Sequence, residues 1–237
     1  MKTPGTMQTS LLPRPVAIIG AGPAGLIAAE RLAETGHQVT VFERMPSPAR
    51  KFLLAGRGGL NLTHAEPLET FLSRYSPGHP LLSASLRALP PDALRQWAAT
   101  LGEETFVGSS GRVFPRSFKA TPLLRAWLKR LGDLGVAFRF RHRWTGWDES
   151  GALTFATPEG EARVSPAATL LALGGASWPR LGSDGGWTGL LATNGVAVTP
   201  LTASNCGCRL DWSAPFLERH QGQPLKGSRW SIGGASV

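Results

Sequence analysis

The sequence predicts an α/β fold built on a parallel sheet, and three observations carry that prediction. A continuous apolar run, Val16-Ala17-Ile18-Ile19, ends in glycine, as a strand buried on both faces should. Gly20, Gly22 and Gly25 follow at the head of a helical pattern that Gly36 closes. A second short strand, Val39 to Phe42, then runs into an acid, Glu43. Strand, glycine turn, helix, strand and acid in that order describe one βαβ unit.

The remaining elements follow in chain order. Residues 1–14 mix Thr, Pro, Gly and Ser without a period and read as a disordered leader. The first helix is expected from Ala24 to Thr35. From Pro46 to about Leu131 the chain reads as loops and helices, with a helix from Pro91 to Leu101 ending at Gly102. Thr121 can cap a helix whose first residue is Pro122, with Leu124, Leu128 and Leu131 on one face and Gly132 at its end. Val136 to Phe140 supplies a third sheet strand. Trp147 to Val164 reads as short strands joined at Glu149-Ser150-Gly151 and Pro158-Glu159-Gly160, a small antiparallel meander. Thr169 to Leu173 is another buried strand, running into Gly174-Gly175, and Asp184 to Asn194 is a helix stopped by Gly195. Past Pro200 only two strand starts are legible, near Cys208 to Leu210 and Arg229 to Ile232, with too little apolar sequence to close a core. The expected organisation is therefore a leader over 1–14, an α/β domain over 15–200 with a helical insert at about 66–132, and the start of a second domain over 201–237.

Composition removes several classes. The chain has 237 residues, 42% of them hydrophobic, with no repeat or low-complexity tract, so arrays and disorder are excluded as whole-chain readings. The net charge of +9 comes mainly from 20 arginines against 5 lysines, scattered from Arg14 to Arg229. A nucleic-acid surface needs its charges gathered on one face with aromatics between them. Only Arg139, Arg141, His142, Arg143 and Trp144 approach that, and they read as a solvated or phosphate-facing strand end, so no nucleic-acid partner is expected. Cys206 and Cys208 lack the spacing of a disulfide framework, a zinc site or a C-x-x-C redox pair, and read as reduced thiols of a cytoplasmic protein. The most apolar stretch, Val16 to Ala29, is broken by glycines and too short to span a bilayer, so no membrane association is expected. The five histidines show no metal or triad arrangement.

The glycine turn carries the strongest chemical signal. Gly20 permits the tight turn, Gly22 lets backbone approach a diphosphate, and Gly25 with Ala29 lets the helix lie close on the sheet. The diphosphate then rests at the helix N-terminus, where free N–H groups and the dipole favour an anion. Glu43 lies 23 residues after Gly20, the spacing of a carboxylate that takes hydrogen bonds from a ribose and repels a 2′-phosphate. A second glycine-rich segment, Arg50 to His64, is basic and carries Asn61, Thr63 and His64 as polar groups. From its chemistry alone it is either a loop wrapped around an anionic cofactor or a plain surface loop.

That segment, together with Gly108-Ser109-Ser110-Gly111-Arg112-Val113-Phe114-Pro115, Lys119-Ala120 and Ala172-Leu173-Gly174-Gly175-Ala176-Ser177-Trp178-Pro179, resembles the BaiN/YhiN-like flavoproteins, also called aminoacetone-oxidase-like FAD-binding proteins. The motifs come in the same order and the resemblance covers roughly residues 15–227. It implies a glutathione-reductase-like Rossmann domain and FAD as the dinucleotide. The cofactor contacts it implies are Gly20, Ala21, Gly22, Pro23, Ala24 and Gly25 in the first turn, with Glu43 and Arg44 after the second strand. Lys51, Gly56, Gly58 and Asn61 follow in the second loop, and Ala172, Gly174 and Gly175 where the chain re-enters the sheet. The family carries Gly-Gly-Gly-Arg-Cys-Asn in that loop, whereas Leu60 stands here at the cysteine position, which excludes thiol chemistry there and marks a divergent subgroup. Arg112, Phe114 and Lys119 are implied to face the substrate side of the flavin, or more plainly form a hairpin and a helix start.

The activity implied is hydride transfer between flavin and an organic small molecule, with NAD(P)H or oxygen as the other redox partner. No catalytic residue stands out. Similar proteins continue through a barrel-like domain before returning to the FAD domain, so residues 201–237 are expected to be a truncated start of that second domain. The missing part would help enclose the isoalloxazine ring, and this chain alone is expected to bind FAD weakly or not at all. The alternative is a truncated, non-catalytic nucleotide-binding fragment.

Overall fold

The computed structural model describes residues 15–54, 59–75, 78–202 and 210–223, and beyond them 229, 231–232 and 235–236. They fall in two compact units divided after Leu201. The first opens with β1 (Val16–Ile19), α1 (Pro23–Glu34), β2 (Val39–Glu43), α2 (Arg50–Leu53) and β3 (Thr63–His64). It continues with α3 (Leu68–Ser73), α4 (Pro80–Ala88), α5 (Pro91–Thr100), β4 (Thr105–Val107), β5 (Arg112–Pro115) and α6 (Ala120–Asp133). Then come β6 (Ala137–Phe140), β7 (Arg143–Trp147), β8 (Leu153–Thr157), β9 (Gly160–Val164), β10 (Ala168–Leu171) and α7 (Trp187–Thr193). The described part of the second unit holds α8 (Ala214–His220) and the antiparallel pair β11 (Ser231–Ile232) and β12 (Ala235–Ser236).

The parallel sheet has the order β10-β1-β2-β6, with β1 paired in parallel on both edges. All four residues of β1 are buried because its alternating side chains serve two cores. Val16 and Ile18 join Leu26 and Ala29 of α1, Val41 of β2 and Leu123, Trp127 and Leu131 of α6 on one face. Ala17 and Ile19 join Phe42, Trp144, Leu153 and Phe155 on the other, where the meander β7-β8-β9 covers the sheet. The continuous apolar run thus buries itself on both sides, as the sequence predicts.

One buried acid organises the helical side. Glu30 of α1 is fully buried, and its carboxylate accepts hydrogen bonds from Trp97 Nε1 of α5 (3.1 Å), Trp127 Nε1 of α6 (2.5 Å) and Arg130 Nη1 of α6 (3.1 Å). A buried charge is tolerable only when paired and hydrogen-bonded in this way. The network joins the helix behind the glycine turn to the insert.

Several expected boundaries shift. Pro122 lies within the first turn of α6, which begins at Ala120 behind Lys119, and Thr121 caps nothing. Pro is tolerated there because first-turn N–H groups have no intrahelical partner. Gly132 lies inside the last turn, and the left-handed residue is Gly135 (φ 77°). α7 starts at Trp187 instead of Asp184, whose carboxylate takes the Gly186 N–H and the Arg44 guanidinium outside the helix. An antiparallel sheet, β3-β5-β4, also stands where the sequence reads as loops and helices, apart from the hairpin offered at Arg112 to Phe114. The expected leader, Cys206, Cys208, and all of the strand start at Cys208 except the non-strand Leu210 lie outside the described residues.

Candidate functional site

The three glycines of the first turn do different work. Gly20 has φ 109°, and a Cβ there would lie 2.4 Å from the Ala172 carbonyl oxygen, so a side chain would part β1 from the chain leaving β10. A Cβ on Gly25 would lie 1.9 Å from the Gly20 carbonyl oxygen and 3.3 Å from Ile18, so α1 reaches the sheet only without one. A Cβ on Gly22 would meet nothing within 4 Å. Gly22 is the N-cap of α1, no side chain caps that terminus, and Pro23 follows as the first helical residue. The first-turn N–H groups therefore open onto empty space beside Gly22.

Glu43 ends β2 beside this turn. Its Oε2 accepts the Ala21 N–H (2.9 Å) and its Oε1 accepts the Met45 N–H (2.8 Å). Each oxygen keeps a lone pair for a further donor. The carboxylate therefore ties the turn to the exit of β2 and still faces the cavity it lines.

That cavity measures about 720 Å³ and lies within the first unit. Gly20, Gly22 and Pro23 line one side, Glu43, Arg44 and Lys51 another, and Ala172, Gly174 and Gly175 a third. This is the crevice at the carboxyl ends of parallel strands where open α/β sheets bind ligands. Its rim is cross-linked. Arg44 donates two hydrogen bonds to Asp184 (3.0 and 2.8 Å), Lys51 Nζ donates to Ser177 Oγ (2.5 Å), and Trp187 Nε1 donates to the Gly174 carbonyl (3.1 Å). The Arg44 hydrogen bond, helped by the Gly186 N–H and the Arg44 charge, holds the Asp184 carboxyl below its ordinary pKa.

The structure brings most of the expected site residues together. Of the rest, Ala21 is buried and contributes its N–H to Glu43, Gly25 packs beneath the turn, and Ala24 is exposed in the first turn of α1. Asn61 is not among the cavity residues; its Nδ2 donates to the carbonyls of Thr63 (2.8 Å) and Val113 (3.1 Å), fastening β3 to β5. Gly56 and Gly58 lie outside the described residues. Arg112 and Phe114 form the hairpin strand β5, with Phe114 packed against Phe106 and Phe118, and Lys119 precedes α6. None of the three lines the cavity.

Sequence reasoning missed Asp184 and Trp187 as cavity residues and named Arg50 only as part of a basic segment that could wrap a cofactor. The stretch from Arg139 to Trp144, read as a strand end, proves to be divided: His142, Arg143 and Trp144 line the cavity and Arg139 and Arg141 do not. The His142 N–H donates to the Glu43 carbonyl (2.9 Å), which carries β7 to the site from the neighbouring sheet. The arrangement suits an anionic dinucleotide: an uncapped helix end for the diphosphate, a carboxylate for a sugar, and room beside Gly22 that a side chain would fill. Among the described residues, no helix is long and apolar enough to cross a membrane.

The HI0933-like protein Rossmann domain family matches residues 14–236. D-amino acid dehydrogenase 2 from Ralstonia nicotianae is 28% identical over 163 residues, 65% of this chain and 37% of that protein. The ribosomal RNA dihydrouridine synthase of Haemophilus influenzae is 49% identical over 49 residues, 21% of this chain and 12% of that protein. Among solved structures, a 3-ketosteroid-delta4-(5alpha)-dehydrogenase from Rhodococcus jostii RHA1 is similar with a TM-score of 0.52 at 15% identity, covering 75% of this chain and 50% of that one. THI4 from Thermovibrio ammonificans is similar with a TM-score of 0.50 at 15% identity, covering 78% of this chain and 64% of that one. At these identities the structural likeness shows the fold alone. In every one of these pairs the chain spans less than two thirds of the relative's length.

Proposed function

The chain belongs to the HI0933-like Rossmann-domain family of FAD-binding flavoproteins, and from that membership we propose that it acts as an FAD-dependent oxidoreductase on a small organic substrate. The observation that carries this reading is the meeting of the uncapped N-terminus of α1 with the Glu43 carboxylate at one cavity. Bound FAD would supply the redox chemistry, exchanging hydride with the substrate and drawing its electrons from NAD(P)H. The chain's own residues bind and orient. Gly22 leaves space for the diphosphate, Glu43 accepts a ribose hydroxyl, and the Lys51 ammonium offsets the phosphate charge. A cytoplasmic location is part of this proposal, in keeping with two cysteines that lack the number and spacing of a disulfide framework.

Titration of the protein with FAD, followed by flavin fluorescence, tests the reading. Saturable binding that ADP competes away is expected, in place of the weak or absent binding that the sequence predicts, because the cavity lies wholly within the first unit; failure to bind either ligand overturns the reading. A second reading concerns the substrate. One relative is named for making dihydrouridine in ribosomal RNA, and on that likeness, against the sequence's expectation of no nucleic-acid partner, the substrate would be a uridine of RNA. Affinity for ribosomal RNA fragments that falls steeply with salt supports it, and retention no better than that of an uncharged polymer removes it.

A further inference from the structure

Among the described residues, two buried donors of the first unit have no hydrogen-bond partner: Arg50 Nε and Trp144 Nε1. Both residues line the same cavity. Leaving a buried polar group without a partner destabilises the fold, so each of the two demands an explanation. Trp144 is only 6% exposed and packs edge-on against Trp147 with ring centroids 4.8 Å apart. Packing alone would be served as well by phenylalanine, which carries no N–H to strand.

Their positions differ along the cavity. The Ala49 N–H donates to the Ala21 carbonyl (2.9 Å), which sets Arg50, the first residue of α2, beside the glycine turn. Of its neighbours, Arg44 is committed to Asp184 and Lys51 to Ser177, whereas Arg50 makes no ion pair among the described residues. Trp144 lies two residues past His142, whose N–H holds the Glu43 carbonyl, and belongs to the apolar cluster with Ile19 and Phe42. β6 pairs with β2 on the edge away from β1, with Phe140 opposite Glu43, so the chain entering β7 comes to the cavity from the side of Glu43 opposite the glycine turn, where the base attached to that ribose would lie. Adenine offers ring nitrogens that accept hydrogen bonds.

We propose that Arg50 and Trp144 are cofactor-binding residues whose donors the ADP half of FAD satisfies, Arg50 at the diphosphate and Trp144 at an adenine ring nitrogen. The inference rests on the proposed FAD site and adds two contacts to it. It also assigns the cavity's selectivity to the adenosine end, since FMN has neither the second phosphate nor the base.

Calorimetric titration of the full chain with FAD, ADP and FMN, in the wild type and in Trp144→Phe and Arg50→Met, tests the proposal alongside the melting temperature of each apo protein. Trp144→Phe should weaken FAD and ADP together by about tenfold and leave FMN unchanged, while the apo Tm stays level or rises because a stranded donor has gone. Arg50→Met should weaken both by about 10- to 160-fold, as a lost charged hydrogen bond does. Unaltered FAD and ADP affinity in both variants overturns the proposal, and a fallen Tm with intact affinity reduces Trp144 to a packing residue. Where Trp144→Phe fails to fold, benzothienylalanine at position 144 keeps the ring shape without the N–H and gives the same two outcomes. A wild type that binds neither FAD nor ADP fails differently, because it overturns the function itself.

Discussion

Replacing Glu43 with alanine should separate cofactor binding from folding. In the apo protein the carboxylate accepts two backbone N–H bonds, from Ala21 at 2.9 Å and Met45 at 2.8 Å. A hydrogen bond to a charged group contributes about 1.5–3 kcal/mol. Losing the one proposed to the ribose should therefore raise the FAD Kd by about 10- to 160-fold. Losing the two internal bonds should separately lower apo stability, because the Ala21 N–H is left inside a turn with no other acceptor. Glu43→Gln retains one acceptor oxygen and turns an NH2 toward a backbone N–H, so it should fall between wild type and alanine in both respects. Fluorescence titration gives the Kd and urea denaturation the stability. A Kd within twofold of wild type in Glu43→Ala would refute the placement of the ribose, even if stability fell as expected.

Three further outcomes follow from particular contacts. Gly22→Ala should fold normally yet bind FAD about tenfold more weakly or worse, because its Cβ meets no protein atom and fills ligand space; Gly25→Ala should instead destabilise the apo protein by about 1–3 kcal/mol, and equal melting temperatures for the two would contradict the geometry. Glu30→Ala leaves Trp97, Trp127 and Arg130 facing an uncompensated gap, so urea denaturation should show a loss of about 3–5 kcal/mol; a loss below about 1 kcal/mol would show that the network is not buried as described. Asp184 is held below its ordinary pKa by Arg44, so its bridge stabilises the native state above the unfolded-state pKa of about 4 and is lost as pH falls through the lower folded value. The Tm gap between wild type and Asp184→Asn should be widest above about pH 5 and close toward pH 3, and a gap independent of pH would exclude the ion pair as its cause.

The parts of this protein that were legible in its sequence are those governed by local rules. The edge-to-edge apolar run of β1, the glycine spacing and the acid at Glu43 each follow from nearest-neighbour geometry, and the structure places them as one unit. The meander was legible because its turns carry Gly151 and Gly160, both at positive φ. Of the small sheet β3-β5-β4 only a hairpin at Arg112 to Phe114 was legible, because strands of two to four residues are too short to show an alternation. Glu30 reads in sequence as an ordinary surface acid of a helix; only the approach of α5 and α6 buries it.

By itself the sequence determined the βαβ unit, the family and the dinucleotide-binding end of the sheet, because a turn that must admit backbone against backbone tolerates few residues other than glycine. Tertiary structure alone decided what surrounds the cavity. Arg44 meets Asp184 across 140 positions, Lys51 meets Ser177 across 126, and Trp144 arrives from a different sheet. It also decided that Asn61 fastens a hairpin here while Arg50, at the other end of the same segment, lines the cavity. The physical reason is range: backbone sterics act within a few residues, whereas side-chain pairing depends on where the folded chain returns.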